Sequence, residues 1–173
     1  MTDVDQKKES QVEKRKELAP KKRFVNREEE PAVKVKINPE YLIFRYMAGS
    51  QAYDTFLVEN TTAEKQAFKV KSNSNKCFVS RPTTGFIEPG AAVHIKVIFL
   101  NPPNIQDSTS EKTHVALFHV AAGKFKTPKE AFKAKAKTLT KSGKPLAGDG
   151  VHHFYCEHRQ EKTTESGDQP EQQ

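Results

Sequence analysis

Tryptophan is absent from the 173 residues, cysteine occurs only twice, and only 35% of the residues are apolar. No apolar run approaches the roughly 18 residues needed to cross a bilayer as a helix. Two cysteines are too few for a disulfide-stapled scaffold. The opening MTDVDQKKES has no apolar core of a secretory leader. A reducing, cytoplasmic or cytoskeletal setting is therefore expected, with Cys77 and Cys156 as thiols. Also missing are a glycine-rich phosphate loop, a nucleophile elbow and paired carboxylates in an apolar context, so neither an enzyme nor a cofactor is expected.

The apolar residues are concentrated between Val33 and Ala122, in short runs of period two. Val33, Val35 and Ile37 alternate with lysines; Leu42 and Phe44, Phe68 and Val70, and Val93 through Phe99 repeat the pattern, and THVALFHV (Thr113 to Val120) adds another run. Each reads as a strand with one buried face. Turn chemistry separates them at Asn38-Pro39, Ala48-Gly49-Ser50, Asn60-Thr61-Thr62, Ser72 to Asn75, Glu88-Pro89-Gly90 and Asn101-Pro102-Pro103. Many short strands with frequent turns predict an all-β antiparallel sandwich or barrel over residues 31–160.

Two tails flank it: a charged arm over 1–30 and an acidic tail over 161–173, both expected to be disordered. The tail places Thr163, Thr164 and Ser166 beside acids, where a kinase or phosphatase could act.

The net charge of +7 has an address. Between Gly123 and Pro145 lie Lys124, Lys126, Lys129, Lys133, Lys135, Lys137, Lys141 and Lys144 against the single acid Glu130. One basic segment on a neutral body suggests a local docking element. It has few aromatics and no arginine, so nucleic acid is not the expected partner. Within this 123–147 insert, Thr127 as N-cap, Pro128 at the first helical position and Ala131, Phe132, Ala136 and Leu139 at helical spacing predict a short helix.

The last run, VHHFYCEHR, puts His152, Cys156 and His158 on one face with Phe154. Neighbours on a strand face diverge by ~6.6 Å, and the spacing matches no zinc pattern, so a wet edge strand is expected rather than a metal site.

The segments FLVENTT (Phe56 to Thr62), AFKVKSNSN (Ala67 to Asn75), RPTTGFIEPG (Arg81 to Gly90) and GDG before Val151 together resemble the major sperm protein domain family. The resemblance covers Val33 to about Arg159. It implies an immunoglobulin-like seven-stranded β-sandwich without catalysis. It further implies an accessory of nematode sperm that binds filaments of major sperm protein, or other proteins with this domain, in the sperm pseudopod. The family's vesicle-associated branch implies an alternative, an adaptor docking acidic two-phenylalanine peptides. Lys69, Lys71, Ser72 and Asn73 match the groove strand of that branch, with Lys76 extending the basic row. Opposite them, His114 and Ala116 stand where that branch has a lysine and a methionine. The expected partner-binding residues are these five and Lys124, Lys126, Lys133, Lys135 and Lys137.

Overall fold

The computed structural model describes residues 19–20, 22–103 and 114–162. Among the described residues, nine strands and one helix follow in chain order: β1 (Lys36–Asn38), β2 (Tyr41–Tyr46), β3 (Ala52–Glu59), β4 (Gln66–Ser72), β5 (Phe78–Arg81), β6 (Thr84–Ile87), β7 (Ala92–Phe99), β8 (Val115–Ala121), α1 (Pro128–Lys135) and β9 (Gly150–Gln160). They form a four-stranded sheet of order β1-β3-β7-β5 and a five-stranded sheet of order β2-β9-β8-β4-β6.

The expected seven-stranded sandwich is present as seven passes of the chain. Two of the passes change sheets midway. β1 pairs with β3 and, after Pro39, β2 pairs with β9; β5 pairs with β7 and, after Pro82, β6 pairs with β4. Both crossings fall at X-Pro bonds in the cis form. Proline has no N–H to give a ladder, so pairing lapses there and can resume on the other sheet.

Phenylalanine fills the place left by the missing tryptophan. Phe44, Phe56, Phe68, Phe99 and Phe154 are at most 1% exposed, with Leu42, Ile95 and Leu117 between them. The Phe56 and Phe154 rings meet across the sheets at 4.3 Å. Each such side chain contributes about 1.5–3 kcal/mol of burial free energy.

Polar residues pin the loops. Asn60, fully buried, donates from Nδ2 to the carbonyls of Glu64 and Ile87, both at 2.8 Å, and accepts the Thr62 N–H at 3.0 Å. The turn foreseen at Asn60 is thus held by its own side chain. GDG is scaffold as well. A Cβ on Gly148 would come within 2.7 Å of the His119 carbonyl oxygen, and one on Gly150 within 2.2 Å of His119 Nε2. His119 itself accepts the Lys34 N–H at Nε2 (3.0 Å), so its proton sits on Nδ1 and is donated to Gln66 Oε1 (2.9 Å). Burial pushes this imidazole down to about 4, and it stays neutral.

Three expectations need correction. β9 is not an edge strand: it lies between β8 and β2, antiparallel to the first and parallel to the second. Its histidines suggested a wetted face, yet Phe154 and Cys156 are fully buried on one side and Val151 and His153 are covered on the other. The helix stops at Lys135, short of Leu139, which is 59% exposed; the chain turns at Gly143 and Leu139 bridges to Pro145. The charged arm, expected to be without structure to residue 30, makes specific contacts with the sandwich from Arg23 onward. Thr163, Thr164 and Ser166 lie outside the described residues.

Candidate protein-interaction surface

The outer face of the five-stranded sheet carries both halves of the expected site. Its rows follow from register: Lys69 lies beside Phe118, Lys71 beside Ala116, and Ala116 in turn beside His153. One end of the face is roofed by α1. Thr127 caps the helix, its Oγ1 accepting the Glu130 N–H (3.3 Å), while Glu130 accepts the Lys126 N–H (3.2 Å). Ala131 and Phe132 then pack on Ala67, Val120 and Ala122, with Phe86 and Phe118 alongside. The Lys135 ammonium reaches Asp149 at 2.6 Å and ties the helix to the GDG turn. Burial works to raise the Asp149 carboxyl, but Lys135 and the Ala121 N–H outweigh it and hold it below the usual carboxylate range.

The row of lysines that looked uniform in sequence is divided by this helix. Lys69 folds its ammonium over the Phe132 ring at 4.2 Å, and burial, aided by Lys71, lowers it to about 8. It is a packing residue. Lys71 stays exposed, as does Lys76. Lys71 and Ser72 stand at the mouth of an open cleft of about 440 Å³ between β4 and β5, walled by Val70, Phe78, Val97 and Val115. Asn73 is a turn residue: its N–H donates to the His114 carbonyl (3.2 Å) and its Oδ1 accepts the His114 N–H (2.9 Å). Lys135 is engaged by Asp149, whereas Lys124, Lys126, Lys133 and Lys137 are exposed on the helix and its flanks.

At the other end of the face the second half of the groove is covered. His114 is half-buried under the Phe24 ring, at 5.5 Å, and Ala116 is buried. Burial, then His153 and Arg27, push the His114 imidazole below its ordinary value. Sequence reasoning did not find Phe24, Tyr155 or His153 as parts of this surface; the signal present was one phenylalanine alone in a charged arm, six residues before Glu30-Pro31. The row His152, Cys156, His158 is split among separate environments. His152 Nε2 meets the Glu40 carbonyl at 2.9 Å; Cys156, fully buried, has its thiol pushed up to about 12; His158 lies among aromatic rings. Cys77 and Cys156 are free thiols.

The two-sheet sandwich uses its buried polar groups as scaffold and presents lysines on an outer face, as a protein-interaction domain does. The sequence matches the model of the MSP (Major sperm protein) domain over residues 34–141, and the chain belongs to that family. It is 30% identical over 66 residues to vesicle-associated membrane protein-associated protein SCS2 of Saccharomyces cerevisiae, a match covering 38% of this chain and 27% of that one. It is 36% identical over 76 residues to vesicle-associated protein 2-1 of Arabidopsis thaliana, covering 42% and 34%. The matches thus span about a third or less of these relatives' length. Among solved structures, WR4, an MSP family member of C. elegans, superposes with a TM-score of 0.52 at 17% identity, over 72% of this chain and 96% of that one. That likeness carries the fold. No helix of the described residues is long and apolar enough to cross a membrane.

Proposed function

We propose that this chain is a non-enzymatic accessory of the nematode sperm cytoskeleton, binding filaments built from major sperm protein or related domains and modulating their assembly in the pseudopod. The observation that carries this reading is the lysine display on α1 and its flanks. Phe132 and the Lys135–Asp149 pair fix the helix to the sandwich, and Lys124, Lys126, Lys133 and Lys137 remain exposed on it. A fixed cationic patch holds its charges where an acidic protein surface can meet them at little entropic cost. Phosphates on Thr163, Thr164 or Ser166 would add ~1.5 to 2 negative charges each and compete for those lysines, which gives a kinase or phosphatase a route to regulate binding.

The adaptor reading, docking of acidic two-phenylalanine peptides, retains one observation in its favour: Lys71 and Ser72 stand at the open cleft. Lys69, committed to Phe132, and His114, under Phe24, count against it.

Co-sedimentation of the full chain with purified major sperm protein filaments tests the proposal. Reversing Lys124, Lys126, Lys133 and Lys137 to glutamate should weaken binding by about tenfold or more at low salt, on the scale of a few tenths to 1 kcal/mol per exposed charge. Undiminished binding by that variant would remove α1 as the docking element. Saturable binding of an acidic two-phenylalanine peptide, lost on Lys71→Glu, would favour the adaptor instead.

A further inference from the structure

The hairpin that follows α1 presents a serine at its tip. The Thr140 N–H donates to the Lys144 carbonyl (2.8 Å), the Gly143 N–H to the Thr140 carbonyl (3.0 Å), and Thr140 Oγ1 accepts the Lys144 N–H (3.2 Å). Thr140 is thereby closed into the turn. Ser142 stands outside it, exposed, next to Gly143, where φ is +82° and an added Cβ would meet nothing within 4 Å. The tip is held from far along the chain. Glu29 Oε1 accepts the Ser142 N–H at 2.9 Å, and the Ser142 hydroxyl donates to Glu29 Oε2. That hydroxyl, with the N–H, holds the exposed Glu29 carboxyl below its ordinary range. Glu29 makes the reach with φ at +68°, a left-handed conformation that costs a residue bearing a Cβ and persists only where its surroundings hold it. An open cleft of about 340 Å³ lies between this turn and the hairpin, with Arg27 and Lys144 among its walls.

We propose that Ser142 is a phosphorylation site for a kinase that selects basic sequences, and that Glu29 is the latch over it. Lys141 directly before Ser142, Lys144 two residues after it and Lys137 five before it supply the basic flank, all of them exposed. The kinase moves the γ-phosphoryl group of ATP onto Ser142 Oγ: the bond to ADP breaks, the new P–O bond forms, and the hydroxyl proton passes to the kinase's base. The hydroxyl is available only when Glu29 lets go, so the latch sets the rate. Once made, the phosphoserine has no proton to offer Glu29 and adds ~1.5 to 2 negative charges beside it. The carboxylate is expelled, and Lys144 and Arg27 receive the phosphate in its place. The same charge offsets about two lysines of the basic segment and weakens docking on an acidic partner. That last consequence rests on the filament reading, whereas the site and its latch do not.

The test incubates the full chain with Mg-ATP and the catalytic domain of protein kinase C, and follows phosphate at Ser142 by mass spectrometry. Glu29→Ala should raise the initial rate at Ser142 about fivefold, the factor that one net hydrogen bond is worth. Glu28→Ala, which deletes the exposed neighbouring acid, should leave the rate within about twofold. Absence of phosphate at Ser142 in every chain, or equal rates in the Glu29 variant and the wild type, overturns the proposal. The phosphorylated chain is then co-sedimented with filaments of major sperm protein at low salt. It should bind at least about threefold more weakly than a Ser142→Ala chain treated alike. Equal binding refutes the regulatory role. Failure of the untreated chain to bind filaments counts against the filament reading alone, and the kinase rates still decide the site and its latch.

Discussion

His158 should make the protein acid-sensitive in a way a single substitution removes. Its ring is stacked on Phe44 (5.5 Å, 24°), edge-on to Phe99 (4.5 Å), and close to Phe78 (6.0 Å) and Tyr46 (6.4 Å). Among the described residues neither ring nitrogen has a hydrogen-bond partner. Burial alone depresses the imidazole to about 4 from its ordinary 6.5. Above pH 6.5 the group is neutral in both folded and unfolded chains and costs nothing through protonation. As pH falls from 6.5 toward 4 the unfolded chain takes up a proton that the folded one refuses, so stability drains away, and the loss is complete below pH 4. Between pH 7 and 4.5 the penalty from this one group is about 2.5 kcal/mol, at 1.36 kcal/mol per pKa unit. His158→Phe keeps the ring stack and deletes the proton site. Urea unfolding followed by far-UV circular dichroism, at pH 7 and at pH 4.5, should show the variant gaining about that much on the wild type upon acidification. His119, also held near 4, is present in both chains and cancels from the comparison. Any overpacking by the larger ring enters at both pH values and cancels too. A gap between the two proteins that stays constant, within about 0.5 kcal/mol, would refute the reasoning.

Two further substitutions probe the scaffold. Asn60→Ala removes the donors to the buried Ile87 carbonyl and to the part-exposed Glu64 carbonyl, and the acceptor of the Thr62 N–H, and should cost about 2 kcal/mol, chiefly from the Ile87 carbonyl left unpaired, read as a lowered urea midpoint at unchanged slope; a loss under about 0.5 kcal/mol would mean that water takes over those bonds. Gly150→Ala drives a Cβ to 2.2 Å from His119 Nε2 and 2.9 Å from the Val33 Cα. It should therefore cost more than about 3 kcal/mol, seen as a large fall in melting temperature or a failure to fold, whereas a near-native melt would show that β9 can shift away from His119.

Local chemistry was readable from the chain. The Thr127-Pro128 helix start, the Asn60 turn and most of the period-two strands depend on residues within a few positions of one another and are found where expected; the run from Val33 becomes a strand only at Lys36. The strand around Leu42 was readable too, but not its partner: β2 joins β9 across more than a hundred residues, and no periodicity encodes that. The misreading of β9 as an edge has the same origin. His152 and His153 look like solvent-facing residues until Glu40 and Glu30, both far away in sequence, arrive to partner them. The candidate surface was half legible. Lys69 and Lys71 alternate correctly with Phe68 and Val70, yet only packing reveals that Phe132 removes Lys69 from service while Lys71 stays exposed. Phe24 could not be placed at all, because its meaning lies in His114 and Tyr155.

The parallel pairing of β2 with β9 also determines how the molecule would bear load. The two strands join over six register positions, from Tyr41↔Tyr155 to Tyr46↔Gln160, and both run in the same direction. Tension applied between the residues before Tyr41 and those after Gln160 pulls the strands past each other lengthwise. All the rungs of that ladder are then strained together, as in a shear joint, instead of parting one after another as a zipper does. Pulled by those two ends, the sandwich would resist through all six register positions at once.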